Sequence, residues 1–191
     1  MTLWPYLLRK PEPVKLRRES LETSDGDRLA LDWLDGPADS PVVVAHHGLE
    51  GSSESHYIQR LMRAIESRGW SGLAINARGC GGQRATGPQT YHAGHVDDVL
   101  AVVRLLRARC PGRTLYLVGY SLGGSMIANA VARHHEVLYP EVEAVFLVAV
   151  PLRLAPGADA IGEGFARIYE ERFLWSLRPK ASAMGRAHAI F

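Results

Sequence analysis

The residues best suited to chemistry in this chain lie in the segment Gly119-Tyr120-Ser121-Leu122-Gly123. An apolar run that predicts a strand precedes the segment, and a helical pattern follows it. A serine in such a tight turn is held in a strained backbone conformation with its hydroxyl exposed, and flanking glycines let strand and helix approach. The pattern predicts a nucleophile elbow with Ser121 as a covalent nucleophile. The alternative is a turn that only packs, or that binds an anion at the helix N-terminus.

A serine that attacks a carbonyl needs two backbone N–H groups to stabilise the resulting oxyanion. In an elbow the residue after the serine, here Leu122, supplies one of them. The second comes from a loop after an earlier strand, and His47-Gly48-Leu49-Glu50-Gly51 is placed there, so Leu49 is the predicted donor. His46 and His47 precede the serine, contrary to the order serine, acid, histidine. They are interpreted as loop-shaping residues, and a strand end with no catalytic role is the alternative for this loop.

The acid and the histidine that should follow the serine have few candidates, because little chain follows the elbow. Asp159, Glu163 and His188 are the nearest stand-ins, but none lies in a strand–loop context, so they are interpreted as ordinary helix-surface residues. His92 and His95 are interpreted as surface or capping residues near the start of a predicted helix. Because a serine hydroxyl is a poor nucleophile without a base, this chain alone is predicted to be nearly inactive.

The elements that must position these residues alternate between strand and helix. Predicted strands cover 16–22, 28–34, 42–45, 71–76, 114–119 and 142–150. Predicted helices cover 54–68, 95–109, 121–134 and 159–177. Ser52 or Ser53 is the expected N-cap of the first helix, and Gly69 its expected stop. The Asp25-Gly26 turn predicts a hairpin between the first two strands.

Continuous apolar strands that alternate with helices predict an α/β fold with right-handed crossovers and a largely parallel sheet. The sheet is expected to begin antiparallel and continue parallel. The loops after 42–45, 71–76 and 114–119 then meet at the carboxyl edge, where open α/β sheets bind ligands. If 142–150 is the last strand, its edge is unpaired and apolar, which favours association.

Composition narrows the function classes. The chain has 191 residues, 47% hydrophobic and 22% charged, which is typical of a globular domain with a real core. Its net charge of +2 is too balanced to indicate nucleic acid or an anionic membrane. No apolar stretch approaches the ~20 residues of a membrane span, and no signal peptide is evident, so the predicted location is the cytoplasm. The two cysteines, Cys80 and Cys110, predict no disulfide framework. Neither the cysteines nor the neighbouring pair His46 and His47 forms a predicted metal site. No cofactor is predicted, and the sequence does not indicate an oligomeric state.

Four segments together resemble the YheT-type branch of the α/β hydrolases: 46–53 (HHGLEGSS), 76–82 (NARGCGG), 91–95 (YHAGH) and 119–124 (GYSLGG). Leu3-Trp4-Pro5 is similar to the end of that family's N-terminal motif. Segments 165–169 and 172–174 are similar to the opening of its lid. The resemblance covers nearly the whole chain, and it identifies the chain as a member of this branch.

The resemblance implies an α/β-hydrolase fold, with an incomplete core over 1–157 and the beginning of a lid or cap over 158–191. It implies a serine hydrolase that cleaves a small-molecule carboxylic ester, either a short acyl ester or a monoacylglycerol-like lipid, through an acyl-Ser121 intermediate with Leu49 and Leu122 as oxyanion donors. Family members are longer and carry their acid and histidine after the lid, so the fold is expected to be truncated after the sixth strand. A non-catalytic hydrolase-like binding module and an acyltransferase are the alternatives.

Overall fold

A computed structural model describes residues 13–156 and 167–188. Its six strands are β1 (Arg17–Glu22), β2 (Arg28–Leu34), β3 (Val42–His46), β4 (Ser71–Asn76), β5 (Leu115–Tyr120) and β6 (Val142–Val148). Its longer helices are α1 (His56–Glu66), α2 (Asp97–Arg109), α3 (Leu122–Leu138) and α4 (Arg167–His188). Among the described residues, no helix combines the length and the apolar character needed to cross a bilayer.

The strands form one sheet in the order β1-β2-β4-β3-β5-β6. The β1–β2 and β2–β4 pairs are antiparallel, whereas β3 pairs in parallel with both β4 and β5, and β5 with β6. The predicted change from antiparallel to parallel pairing is therefore confirmed. The register places His46 opposite Ile75 and Gly119, so the carboxyl ends of β3, β4 and β5 lie side by side.

Alternate residues of the central strands pack on opposite faces of the sheet, because side chains alternate along a strand. On one face, Val42 and Val44 lie in a large apolar cluster that includes residues of α2 and α3. On the other face, Val43 and Ala45 lie in a smaller cluster with residues of α1. Each fully buried aliphatic side chain contributes about 1.5–3 kcal/mol, so these two layers hold the sheet rigid beneath its carboxyl edge.

The boundaries of two helices differ from the predictions, at the start of α1 and at the end of α4. The N-cap of α1 is Ser55, whose side chain makes no capping bond, so the prediction of Ser52 or Ser53 is wrong. The last helix continues beyond the predicted end at Leu177 to His188 and contains Pro179. A proline removes one helical hydrogen bond, which a helix can tolerate when neighbouring contacts support it. The predicted division at 157/158 lies outside the described residues and stays a prediction.

Candidate active site

Ser121 joins β5 to α3 with backbone angles φ 49° and ψ −121°. A positive φ is unfavourable for a residue with a side chain and costs on the order of 1–3 kcal/mol, so the surroundings must impose it. The Ser121 N–H donates to the Val148 carbonyl at 2.9 Å. A Cβ at Gly119 would collide with the backbone of Gly124, and one at Gly123 would collide with the carbonyl of His47. Strand, helix and neighbouring loop therefore close on the serine only because these positions are glycines.

The loop after β3 lies against this serine. A Cβ built on Gly48 would stand 3.1 Å from the Ser121 Cβ and 3.6 Å from its Oγ. The Gly51 N–H donates to the Gly48 carbonyl at 3.0 Å and closes a tight turn over residues 48–51, the Gly48 turn. In the part of the chain that the structure describes, the N–H groups of Leu49 and Leu122 donate to no protein acceptor. The turn thus brings together the three positions that the sequence predicts as the reactive group and its oxyanion donors.

His47 holds the loop after β3 to the loop after β4. The Ala77 N–H donates to His47 Nε2 at 3.0 Å, so this nitrogen carries no proton. The other nitrogen, Nδ1, carries the proton and donates to the Gly48 carbonyl at 2.6 Å. Burial, with a smaller effect of the neighbouring His46, lowers the pKa of His47 to about 3. A neutral ring with both nitrogens engaged acts here as a structural brace.

His46 lies beneath the elbow. Its Nδ1 is 3.1 Å from the His47 carbonyl, and burial lowers the pKa of its ring. A Cβ at Gly123 would stand 2.6 Å from that nitrogen, so the ring packs against the first turn of α3. Within the described residues, no histidine nitrogen makes a hydrogen bond to the Ser121 Oγ.

The loop after β3 is fixed by a buried amide at the end of β4. Asn76 Oδ1 accepts the Ser53 N–H at 2.9 Å, and Asn76 Nδ2 donates to Asp32 Oδ2 at 2.8 Å. Arg18 donates to both oxygens of Asp32, at 2.8 and 2.7 Å. Burial raises the pKa of Asp32, but the bonds from Arg18, Ser53 and Asn76 outweigh it and lower that pKa overall. The chain that follows the Gly48 turn is thereby tied to β2 and β4.

A second polar cluster lies below this edge. Arg78 is buried and donates to Asp98 at 2.7 Å from Nη2 and 3.0 Å from Nε, and to Asp25 at 2.5 Å from Nη1. His95 Nε2 is 3.2 Å from Asp98 Oδ1, which is within ion-pair distance when the ring is protonated. Proximity to Asp98 raises the pKa of His95. The prediction of a surface or capping role is wrong for His95, which is buried, whereas His92 is exposed.

Sequence reasoning gave no role to Arg78, Asp98, Tyr57 or Tyr91, although Tyr57 and Tyr91 touch the Gly48 turn. The Gly48 N–H donates to Tyr57 OH at 3.1 Å, and the Glu50 N–H donates to Tyr91 OH at 2.9 Å. Tyr57 lies in the predicted helix 54–68, and a helical pattern gives no sign of the partner of its hydroxyl. Asp159 and Glu163 lie outside the described residues, as does the side chain of His188.

Known proteins share this architecture. A family model for the alpha/beta hydrolase fold matches residues 41–182. YheT of Escherichia coli (strain K12), which bears a provisional esterase name, is 34% identical over 184 residues, covering 95% of this chain and 54% of that protein. Monoacylglycerol lipase of Saccharomyces cerevisiae is 30% identical over 139 residues, covering 72% of this chain and 29% of the lipase.

Solved structures agree on the fold. The Pyrococcus furiosus esterase Pf2001 has a TM-score of 0.65 and 22% identity, with 84% of this chain and 61% of that chain covered. At that identity the likeness shows the fold alone. The chain spans about half the length of YheT and less than a third of the yeast lipase. From the family model and the identity to YheT over nearly its whole length, this chain belongs to the α/β-hydrolase family, in its YheT-type branch.

Proposed function

We propose that this chain carries the nucleophile and the oxyanion-stabilising groups of a serine hydrolase that acts on carboxylic esters. The observation that carries the proposal is the strained conformation of Ser121 at the carboxyl edge, with the Gly48 turn packed against its hydroxyl. Strain of this kind at a residue with a side chain points to a function that needs the geometry. The provisional esterase name of YheT and the name of the yeast lipase support an ester substrate, either a short acyl ester or a monoacylglycerol-like lipid.

In the proposed reaction, the Ser121 Oγ attacks the ester carbonyl carbon while a base takes the hydroxyl proton. The carbonyl oxygen becomes an oxyanion, which accepts hydrogen bonds from the Leu49 and Leu122 N–H groups. Loss of one such donor costs about 3–4 kcal/mol in well-studied hydrolases. The tetrahedral intermediate expels the alcohol with a proton and leaves an acyl-Ser121 ester. Water then attacks this ester, passes through a second oxyanion, and releases the acid.

We further propose that the 191-residue chain alone turns esters over slowly, because no histidine among the described residues is bonded to the serine. In subtilisin, removal of the histidine lowers turnover by about 10⁶-fold and leaves only ~10³–10⁴-fold over water. Rates near that residual level are expected for the wild-type chain and for Ser121→Ala alike, with p-nitrophenyl acetate as substrate. Rapid turnover that depends on Ser121 would overturn the slow-rate proposal and leave the hydrolase proposal intact.

Covalent trapping tests the nucleophile itself. The chain is incubated with p-nitrophenyl acetate and free imidazole, which supplies a base in solution, and its peptides are then mapped by mass spectrometry. An acetyl group is expected on Ser121 of the wild-type chain and on no residue of the elbow in Ser121→Ala. Ser125→Ala, four residues along the same helix, is the matched control and should still be acetylated at Ser121. Failure to acetylate Ser121 while other surface residues react would contradict the proposal and favour a non-catalytic binding module.

A further inference from the structure

The turn that carries Leu49 contains a second strained residue. Glu50 follows Leu49 directly and has a φ of 54°, although it is not a glycine. A residue with a side chain keeps such a conformation only where its surroundings over-determine it. The contacts of Glu50 therefore hold the backbone of the turn directly after Leu49.

Tyr91 closes a hydrogen-bonded ring with Glu50. The Glu50 N–H donates to Tyr91 OH at 2.9 Å, and Tyr91 OH in turn donates to Glu50 Oε1 at 2.9 Å. Both groups of Glu50 are thus held by one buried hydroxyl. This ring fixes one side of the turn, and it leaves the rest of the carboxylate for other donors.

The remaining donors come from α4. Lys180 Nζ lies 2.8 Å from Oε1 and 2.7 Å from Oε2 of Glu50, and Ser176 Oγ donates to the same carboxylate. Ser176 and Lys180 are four residues apart, so they lie on one face of the helix. The Glu50 side chain is only 8% exposed, whereas that of Lys180 is 38% exposed. Burial raises the pKa of Glu50, but the bonds from Lys180, Ser176 and Tyr91 outweigh it and keep the carboxylate ionised.

A buried carboxylate without its cation is strongly destabilised, so the Gly48 turn and α4 depend on each other. We propose that Glu50 and Lys180 form a latch through which docking of α4 fixes the backbone of residues 48–51 and directs the Leu49 N–H towards Ser121. The role of the Leu49 N–H as an oxyanion donor rests on the proposed function, whereas the coupling between Glu50 and α4 does not. Both residues are positioning residues, since neither reaches the reacting atoms and each acts through the backbone of Leu49.

Amide hydrogen exchange on the 191-residue chain tests the coupling without any need for turnover. In Lys180→Met, exchange at Glu50 and Gly51, whose N–H groups donate to Tyr91 OH and to the Gly48 carbonyl, is expected to rise roughly tenfold. Lys180→Arg can pair with the same carboxylate and should restore the wild-type rate. Arg178→Met removes the same charge from an exposed position of α4 and should change nothing at the turn. Equal exchange at the turn in all four proteins would overturn the latch.

The reciprocal variant and a catalytic readout separate this inference from the proposed function. Glu50→Gln should raise exchange in α4 around Ser176, and unchanged exchange there would contradict the latch. Acetylation of Ser121 in the presence of imidazole should be slower in Lys180→Met. The rate at saturating ester should fall, and the apparent affinity for the ester should stay unchanged. Faster exchange with no acetylation in any variant would keep the latch and defeat the hydrolase proposal. Acetylation of Ser121 with equal exchange in all variants would do the reverse.

Discussion

Two regions of the same sheet differ in side-chain chemistry. One is the carboxyl edge formed by β3, β4 and β5, and the other is the outer strand β6. At the carboxyl edge, buried polar groups such as His47, Asn76 and Arg78 each meet specific partners. On β6, apolar side chains are exposed instead, with Phe146 at 54% and Leu147 at 43%. At the carboxyl edge, polar contacts fix the geometry of the loops. Strand β6 has an exposed apolar surface, and among the described residues its outer edge is unpaired. Buried polar networks are destabilised by loss of any member, whereas exposed apolar residues tolerate substitution.

The largest effect should come from breaking the ion pairs beneath the carboxyl edge. Arg78→Met leaves Asp98, a carboxylate with only 1% exposure, without its guanidinium partner. Removing one member of a buried pair costs about 3–5 kcal/mol, because the remaining charge is uncompensated. The free energy of unfolding from urea titration should fall by that amount.

The matched control is Arg17→Met, because Arg17 pairs with Asp35 at 2.8 Å while both side chains are mostly exposed, at 55% and 61%. An exposed pair contributes about 0–1 kcal/mol, so this variant should be close to wild type. Equal losses in the two variants would mean that burial does not distinguish the carboxyl edge from the surface.

The sequence predicted the strands of this fold better than the polar contacts at its carboxyl edge. Apolar periodicity located the strands well: the predicted ranges 28–34 and 71–76 are the bounds of β2 and β4. Parallel pairing then places the Gly48 turn beside Ser121, because both follow strands that end at one edge. These predictions depend on local patterns and on topology, which a single sequence records.

The polar network was not predictable in the same way. Arg78 pairs with Asp25, 53 positions earlier in the chain, and with Asp98, 20 positions later. A charged residue in a loop is usually solvated, so nothing local distinguished these residues or the buried His95 from surface groups. The predicted stop of the last helix before Pro179 failed for a related reason, since contacts of α4 with Glu50 lie far away in sequence.

A smaller effect is expected from acid, and it tests whether His47 is a neutral brace. Because its folded pKa is lowered to about 3 from the ordinary 6.5, the unfolded chain binds a proton below pH 6.5 that the folded chain does not. Stability is therefore full above pH 6.5 and falls as pH is lowered, on the order of 1 kcal/mol per pH unit. Between pH 6.5 and 5, His47 should contribute this slope to the fall in the unfolding free energy of the wild type, and His46, whose pKa burial also lowers, should add to it.

His47→Gln removes the titrating group while it keeps an acceptor for the Ala77 N–H, so its slope over the same range should be shallower. His92→Gln alters an exposed histidine near the same edge and should keep the wild-type slope. Identical slopes in all three proteins would show that His47 does not carry the acid sensitivity.

The smallest effect on stability, and the clearest contrast with Arg78, should come from β6. Phe146 is half exposed on the outermost strand, and a lysine there should change unfolding free energy by no more than about 0.5 kcal/mol. An apolar unpaired edge favours strand-to-strand association, which charge on the edge opposes. Sedimentation velocity should show concentration-dependent association of the wild-type chain that Phe146→Lys reduces. Val131→Lys adds the same charge at an exposed position of α3, outside the strand itself, and should associate like wild type. If both lysines reduce association equally, net charge and not the strand edge is responsible.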